Sequence, residues 1–147
     1  MENRDSSIQQ IAPDITLQWV YNGQIAIYTV RTVAIPSLHR WADSVEKVMT
    51  DWPIDTPLLV VQDQLFEGAA YTPAMRETAQ RLSGYRPELK MCQAIILKKG
   101  FSTQVAKNAI WLLRKANRDN QIFFTLQDGL DWLKTKVQDT ESKTAHI

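Results

Sequence analysis

A chain of 147 residues, 44% hydrophobic and 22% charged, is sized for one domain with a core of its own. Its formal net charge of +1 and pI near 7.8 call for no polyanionic partner, which puts nucleic acid last among partner classes. The single cysteine, Cys92, excludes an internal disulfide and reads as a small buried thiol in a reducing compartment.

Residues 1–14 (MENRDSSIQQIAPD) are polar and patternless, and are expected to be a disordered tail without a secretory signal. Nowhere do about 18 apolar residues run together, so no transmembrane segment is expected and the location expected is cytoplasmic. Ile15–Val20 and Gln24–Val30 read as two strands around Tyr21-Asn22-Gly23. Asn-Gly accepts positive φ at both central positions of a tight hairpin turn, so the two strands should be antiparallel neighbours.

Ser37 is expected to cap a first helix in which Leu38, Trp41, Ala42, Val45, Val48, Met49 and Trp52 form one apolar stripe at steps of three and four. His39, Arg40, Asp43, Glu46 and Lys47 fill its solvent face. Leu58–Val61 is a continuous apolar run of strand length, which suits a strand buried on both faces. Thr72-Pro73 starts a second helix, a hydroxyl at the cap and proline in the first turn, and that helix ends near Gly84.

Ala94–Leu97 predicts another strand, Ser102 to Ala116 a third helix, and Ile122–Phe124 the last strand. Thr125-Leu126-Gln127-Asp128 resembles a capping box that opens a final helix, with Leu126, Leu130, Leu133 and Val137 on one side. Residues 138–147 are expected to be a second disordered tail. The expected fold is α/β: a single mixed five-stranded sheet and four helices in the order ββαβαβαβα, forming one domain over 15–137 with parallel strands joined by right-handed crossovers.

No glycine-rich phosphate loop and no G-x-S-x-G occurs, and His39 and His146 are the only histidines. No cofactor or metal is called for. Asp63 follows the central strand, at the end of an open α/β sheet where ligands bind. It also reads as a loop residue bonding nearby backbone N–H groups. Thr72 is open in the same way. It is a helix cap, or a phospho-acceptor whose added charge meets the positive end of the helix dipole with Arg76 one turn on.

Charge is distributed unevenly. Between positions 86 and 118 lie eight cations, Arg86, Lys90, Lys98, Lys99, Lys107, Arg114, Lys115 and Arg118, against one anion, Glu88. The third helix is predicted to bury Val105, Ala106, Ala109, Leu112, Leu113 and Ala116. That sets Trp111 outward, flanked by Lys107, Arg114, Lys115 and Arg118. Tryptophan among cations is either a binding surface or a ring covered by lysine and arginine stems. The partners it suits are an acidic protein surface or a second copy of the chain, then an anionic lipid or small ligand.

The element order, with Leu58–Ala79 (LLVVQDQLFEGAAYTPAMRETA), resembles the SpoIIAA-like fold, the STAS domain of anti-sigma-factor antagonists. The resemblance covers roughly residues 15–137. It implies that Asp63 matches the residue ending the family's central strand, and that Thr72 stands at about the position of its phosphorylated serine. Tyr71, Pro73 and Ala74 depart from the Asp-Ser-Ser-Gly-like motif around that serine. Phe123–Leu133 (FFTLQDGLDWL) is similar to the closing strand and helix of bacterial STAS-like proteins. The implied function is a non-enzymatic regulatory or protein-interaction module; the alternative is a small-molecule or lipid carrier. An enzyme would need Asp63, Glu67 and His39 in one pocket.

Overall fold

The computed structural model of the protein describes residues 7–66, 72–99 and 117–145. Six strands form one sheet in sequential order: β1 (Ile8–Ala12), β2 (Ile15–Val20), β3 (Ile25–Val30), β4 (Leu58–Asp63), β5 (Met91–Ile96) and β6 (Arg118–Phe123). The first two pairings are antiparallel, and β3 to β6 run parallel. Three helices are present among the described residues: α1 (Ile35–Asp51), α2 (Pro73–Gly84) and α3 (Leu126–Ala145). The class is α/β, as expected, with a sixth strand. The third predicted helix lies outside the described residues.

The added strand is β1, in a stretch expected to be a tail. Its short sequence, IQQIA, is held by pairing with β2, in the register Ile8 to Gln18 and Gln10 to Thr16. At the other end, α3 continues through 138–145, also a stretch expected to be a tail. β6 starts four residues before the predicted strand, and its polar opening, Arg118-Asp119-Asn120-Gln121, reads as loop by composition alone.

The hairpin keeps the expected two-residue turn at Asn22-Gly23, and strand pairing stops one residue earlier on each side, at Val20 and Ile25. Tyr21, Asn22 and Gly23 all take positive φ (55°, 60° and 73°), and the Gln24 N–H donates to the Tyr21 carbonyl. α1 starts at Ile35 rather than beyond Ser37, because Pro36 suits the first turn, where no backbone donor is needed. Thr72 caps α2 as predicted, its Oγ1 accepting from Met75 N at 3.1 Å. Thr125 Oγ1 accepts from Asp128 N at 3.1 Å, which gives α3 the same kind of start.

The sheet separates two apolar layers. On one face, Leu38, Trp41, Val45 and Met49 of α1 and Met75 and Leu82 of α2 pack on Leu17, Tyr28, Val30 and Val60. On the other, Leu133 and Val137 of α3 pack on Ile27, Val61, Ala94 and Ile96. Full burial of each such side chain contributes about 1.5–3 kcal/mol. β4 is buried on both faces, as its unbroken apolar run requires.

Candidate functional site

The carboxyl end of the parallel strands is where the sequence directs attention. Asp63 closes β4, and its side chain is buried. Arg31, immediately after β3, reaches across to it. Its Nη2 lies 3.2 Å from Asp63 Oδ1, and its Nη1 donates to the Asp63 carbonyl at 2.7 Å and the Val30 carbonyl at 3.2 Å. The Leu65 N–H donates to Asp63 Oδ1 at 3.1 Å. One carboxylate thus ties the ends of two strands and the first turn of the following loop.

Strand order bears on what this end can do. In doubly wound sheets a ligand crevice opens where the strand order reverses and neighbouring crossovers leave on opposite faces. Here β3, β4 and β5 step in one direction, and α1 and α2 both lie on one face. No reversal separates them. Asp63 therefore has the loop-bonding role, with an arginine that the sequence did not signal.

The other expected site residues are dispersed. Thr72 is half-buried at the start of α2, and Arg76, one turn on, is exposed. His39 is exposed on α1 and is not among the partners of Asp63. Glu67, Lys107, Trp111, Arg114 and Lys115 lie outside the described residues. Among the described residues, no group of three or more His, Cys, Asp or Glu side chains is placed to hold a metal. Cys92 is half-buried at the margin of the α3-side core, where burial pushes its thiol pKa up.

Arg118 corrects the picture of an outward cationic face. It is 4% exposed and opens β6. Its guanidinium donates to the Leu89 carbonyl, to the Tyr85 carbonyl at 2.7 Å and to the Arg86 carbonyl at 3.1 Å. Burial draws its pKa below the ordinary arginine range, and Glu88 opposes that in part. Arg86 is also used internally. Its Nη1 donates to the carbonyls of Met49 and, at 2.7 Å, Trp52, at the carboxyl end of α1. Two of the eight cations thus hold the 85–90 loop instead of facing a partner.

A second group was not anticipated. Gln62 and Gln93 are buried on the α1 side of the sheet, and Gln62 Nε2 donates to Gln93 Oε1. Tyr28 stands beside Gln62 in the strand register and Asn120 beside Gln93, so a polar row crosses β3 to β6. Tyr28 Oη is bonded to Ser44 Oγ of α1 at 2.8 Å, while Asn120 Oδ1 is buried with no hydrogen-bond partner among the described residues. The signal lay in LLVVQD and MCQAII, each an apolar strand interrupted by one glutamine on the helix-covered face.

Comparison with known proteins returns no matching family model, no matching curated protein and no matching solved structure. Among the described residues, no helix is long and apolar enough to cross a membrane.

Proposed function

We propose that this chain is a regulatory protein-interaction module of the bacterial STAS-like type, acting through a helical surface near Thr72 or Trp111. The observation that carries the reading is the engagement of Asp63. The acid best placed to meet a ligand is buried against Arg31 and the Leu65 N–H, where it holds the fold. At this end, the start of α2 with exposed Arg76 is open to a partner. Phosphate on Thr72 would add negative charge at a helix N-terminus beside exposed Arg76, and so change partner affinity.

Native mass spectrometry of the full chain, purified under mild conditions from its own cells, tests this. The expected result is a stoichiometric complex with a protein that Trp111→Glu abolishes while the circular dichroism spectrum stays unchanged. A bare 16.9 kDa chain overturns the reading. One observation favours a second reading, a small-molecule carrier: the buried polar row ends in an Asn120 oxygen unpartnered among the described residues. A small-molecule mass increment, lost on Gln93→Leu, would replace the first reading with this one.

A further inference from the structure

β1, β2 and β3, of five, six and six residues, contain no Asp, Glu, Lys or Arg, although the chain is 22% charged. α1 covers one face of these strands, while on the other face α3 packs over β4, β5 and β6. On that α3 side, Ile8 stands opposite Gln18 and Gln10 opposite Thr16, in line with Val20 at the margin of the core. Ile8 is 63% exposed, more than any other large hydrophobic side chain among the described residues.

β1 is also an edge of the sheet. Edges are ordinarily blunted by lysine, by proline or by a bulge, since their unpaired backbone groups template another strand. The register of β1 shifts between Gln10 and Ala12, and the Gln10 side-chain amide donates to the carbonyls of Ala12 (2.6 Å) and Pro13 (3.1 Å). That device protects the end of the strand and leaves Ile8–Gln10 regular and uncharged. The opposite edge differs. β6 carries Arg118 and Asp119, and Lys136 lies 3.7 Å from the Asp119 carboxylate.

We propose that β1 is a homodimer interface, in which the strand pairs antiparallel with the same strand of a second copy about a two-fold axis at Ile8, Ser7 facing Gln9, and joins the two six-stranded sheets. The choice of a second copy follows from charge. A two-fold axis sets identical residues against one another, so a charged edge repels itself and an uncharged one does not. With the axis at Ile8, the two exposed isoleucines cover each other. A head-to-tail pairing of β1 with β6 would set this strip against the charged edge and leave an open-ended chain. The inference does not depend on the reading proposed for Thr72 and Trp111.

The test is sedimentation equilibrium of the full chain up to about 100 μM, a range that captures micromolar dimers, with hydrogen exchange of the β1 amides. Twice the 16.9 kDa monomer mass is expected, with protection of 8–10 rising with concentration. Ile8→Lys places like charges on the axis and should weaken dimerisation at least ~10-fold, the equivalent of about 1.4 kcal/mol. Because Ile8 is exposed, the variant should keep its circular dichroism spectrum. Trp111→Glu should leave the dimer intact. A monomer at every concentration overturns the proposal, as does a dimer indifferent to Ile8→Lys. So does concentration-independent protection of 8–10 that disappears when residues 1–6 are removed, since the chain's own terminus would then occupy the edge.

Discussion

Three arginines in this molecule do related work in different surroundings. Arg118 is buried and donates to three backbone carbonyls, with no carboxylate among its hydrogen-bond partners in the described residues. Arg31, at the other end of the sheet, is one-third exposed and shares its donors between two carbonyls and the Asp63 carboxylate. Arg81, on the surface, donates to Glu46 through Nε (2.7 Å) and Nη2 (2.8 Å) and to Asp43 through Nη2 (2.7 Å), clamping α2 to α1. Burial lowers the pKa of the first guanidinium, and the hydrogen bonds it donates to Glu46 and Asp43 raise that of the last. A count of positive charges makes these residues alike. Their surroundings make the first a part of the core and the last a surface tie.

The largest effect should come from Arg118. Arg118→Met keeps the apolar stem but removes the donor from three carbonyls of the 85–90 loop, of which only that of Arg86 keeps another, the Leu89 N–H. A loss of roughly 2–4 kcal/mol is expected in urea unfolding. Salt up to about 1 M should leave that loss nearly unchanged, because buried groups are weakly screened. A loss under about 0.5 kcal/mol would mean that Arg118 reaches solvent, and would return it to the cationic face predicted from sequence.

Tyr28 gives a neutral counterpart to this buried cation. Desolvation pushes its hydroxyl up to about 12 from 10, and the bond to Ser44 works against that shift. The unfolded chain therefore releases its proton first as pH rises. The contribution of Tyr28 is whole below pH 10 and is lost progressively from there to about 12, amounting to roughly 2–3 kcal/mol at the top of the range. Tyr28→Phe should cost about 1 kcal/mol at neutral pH and flatten that alkaline slope. An unaltered slope would mean that lysines or other tyrosines carry the alkaline loss.

Asp63 stands between the extremes. Asp63→Asn retains an oxygen for the Leu65 N–H while losing the charge facing Arg31, and should cost about 1 kcal/mol by thermal unfolding. Asp63→Ala also strands that N–H and should cost about 2 kcal/mol. Equal losses in the two variants would remove the turn-holding role assigned here and leave the ion pair alone.

How much of this was legible depended on whether the signal was local. The stripe from Leu38 to Met49, Thr72-Pro73 and Asn22-Gly23 each state their structure within a few residues, and all three stand where expected. β1 was missed because its stability comes from pairing with β2 more than from its own apolar content. β6 was missed in its first half because Arg118 is buried through carbonyls supplied by the 85–90 loop. The Asp63 site was half legible. The acid at the strand end is a local feature, but Arg31 lies 32 positions away and nothing in its neighbourhood marks it. The glutamine row was visible as two interruptions, and their mutual hydrogen bond required knowing that β4 and β5 are neighbours.

The smallest expected effect belongs to Arg81 and separates surface from core. Its side chain is 39% exposed, and that of Asp43 is 69% exposed, so solvent screens the Coulomb gain and side-chain ordering offsets more of it. The paired contacts to Glu46 give better geometry than most surface pairs, and Arg81→Ala should lose about 0.5–1 kcal/mol. Half or more of that loss should disappear in about 1 M salt, where charges a few ångströms apart are largely screened. The change should also be local. α2 reaches the core through Met75 and Leu82, so without the clamp its amides should exchange faster while those of β4 keep their protection. Acceleration spreading evenly into β4 would mean that the clamp supports the whole fold, and the contrast with Arg118 would then be one of degree only.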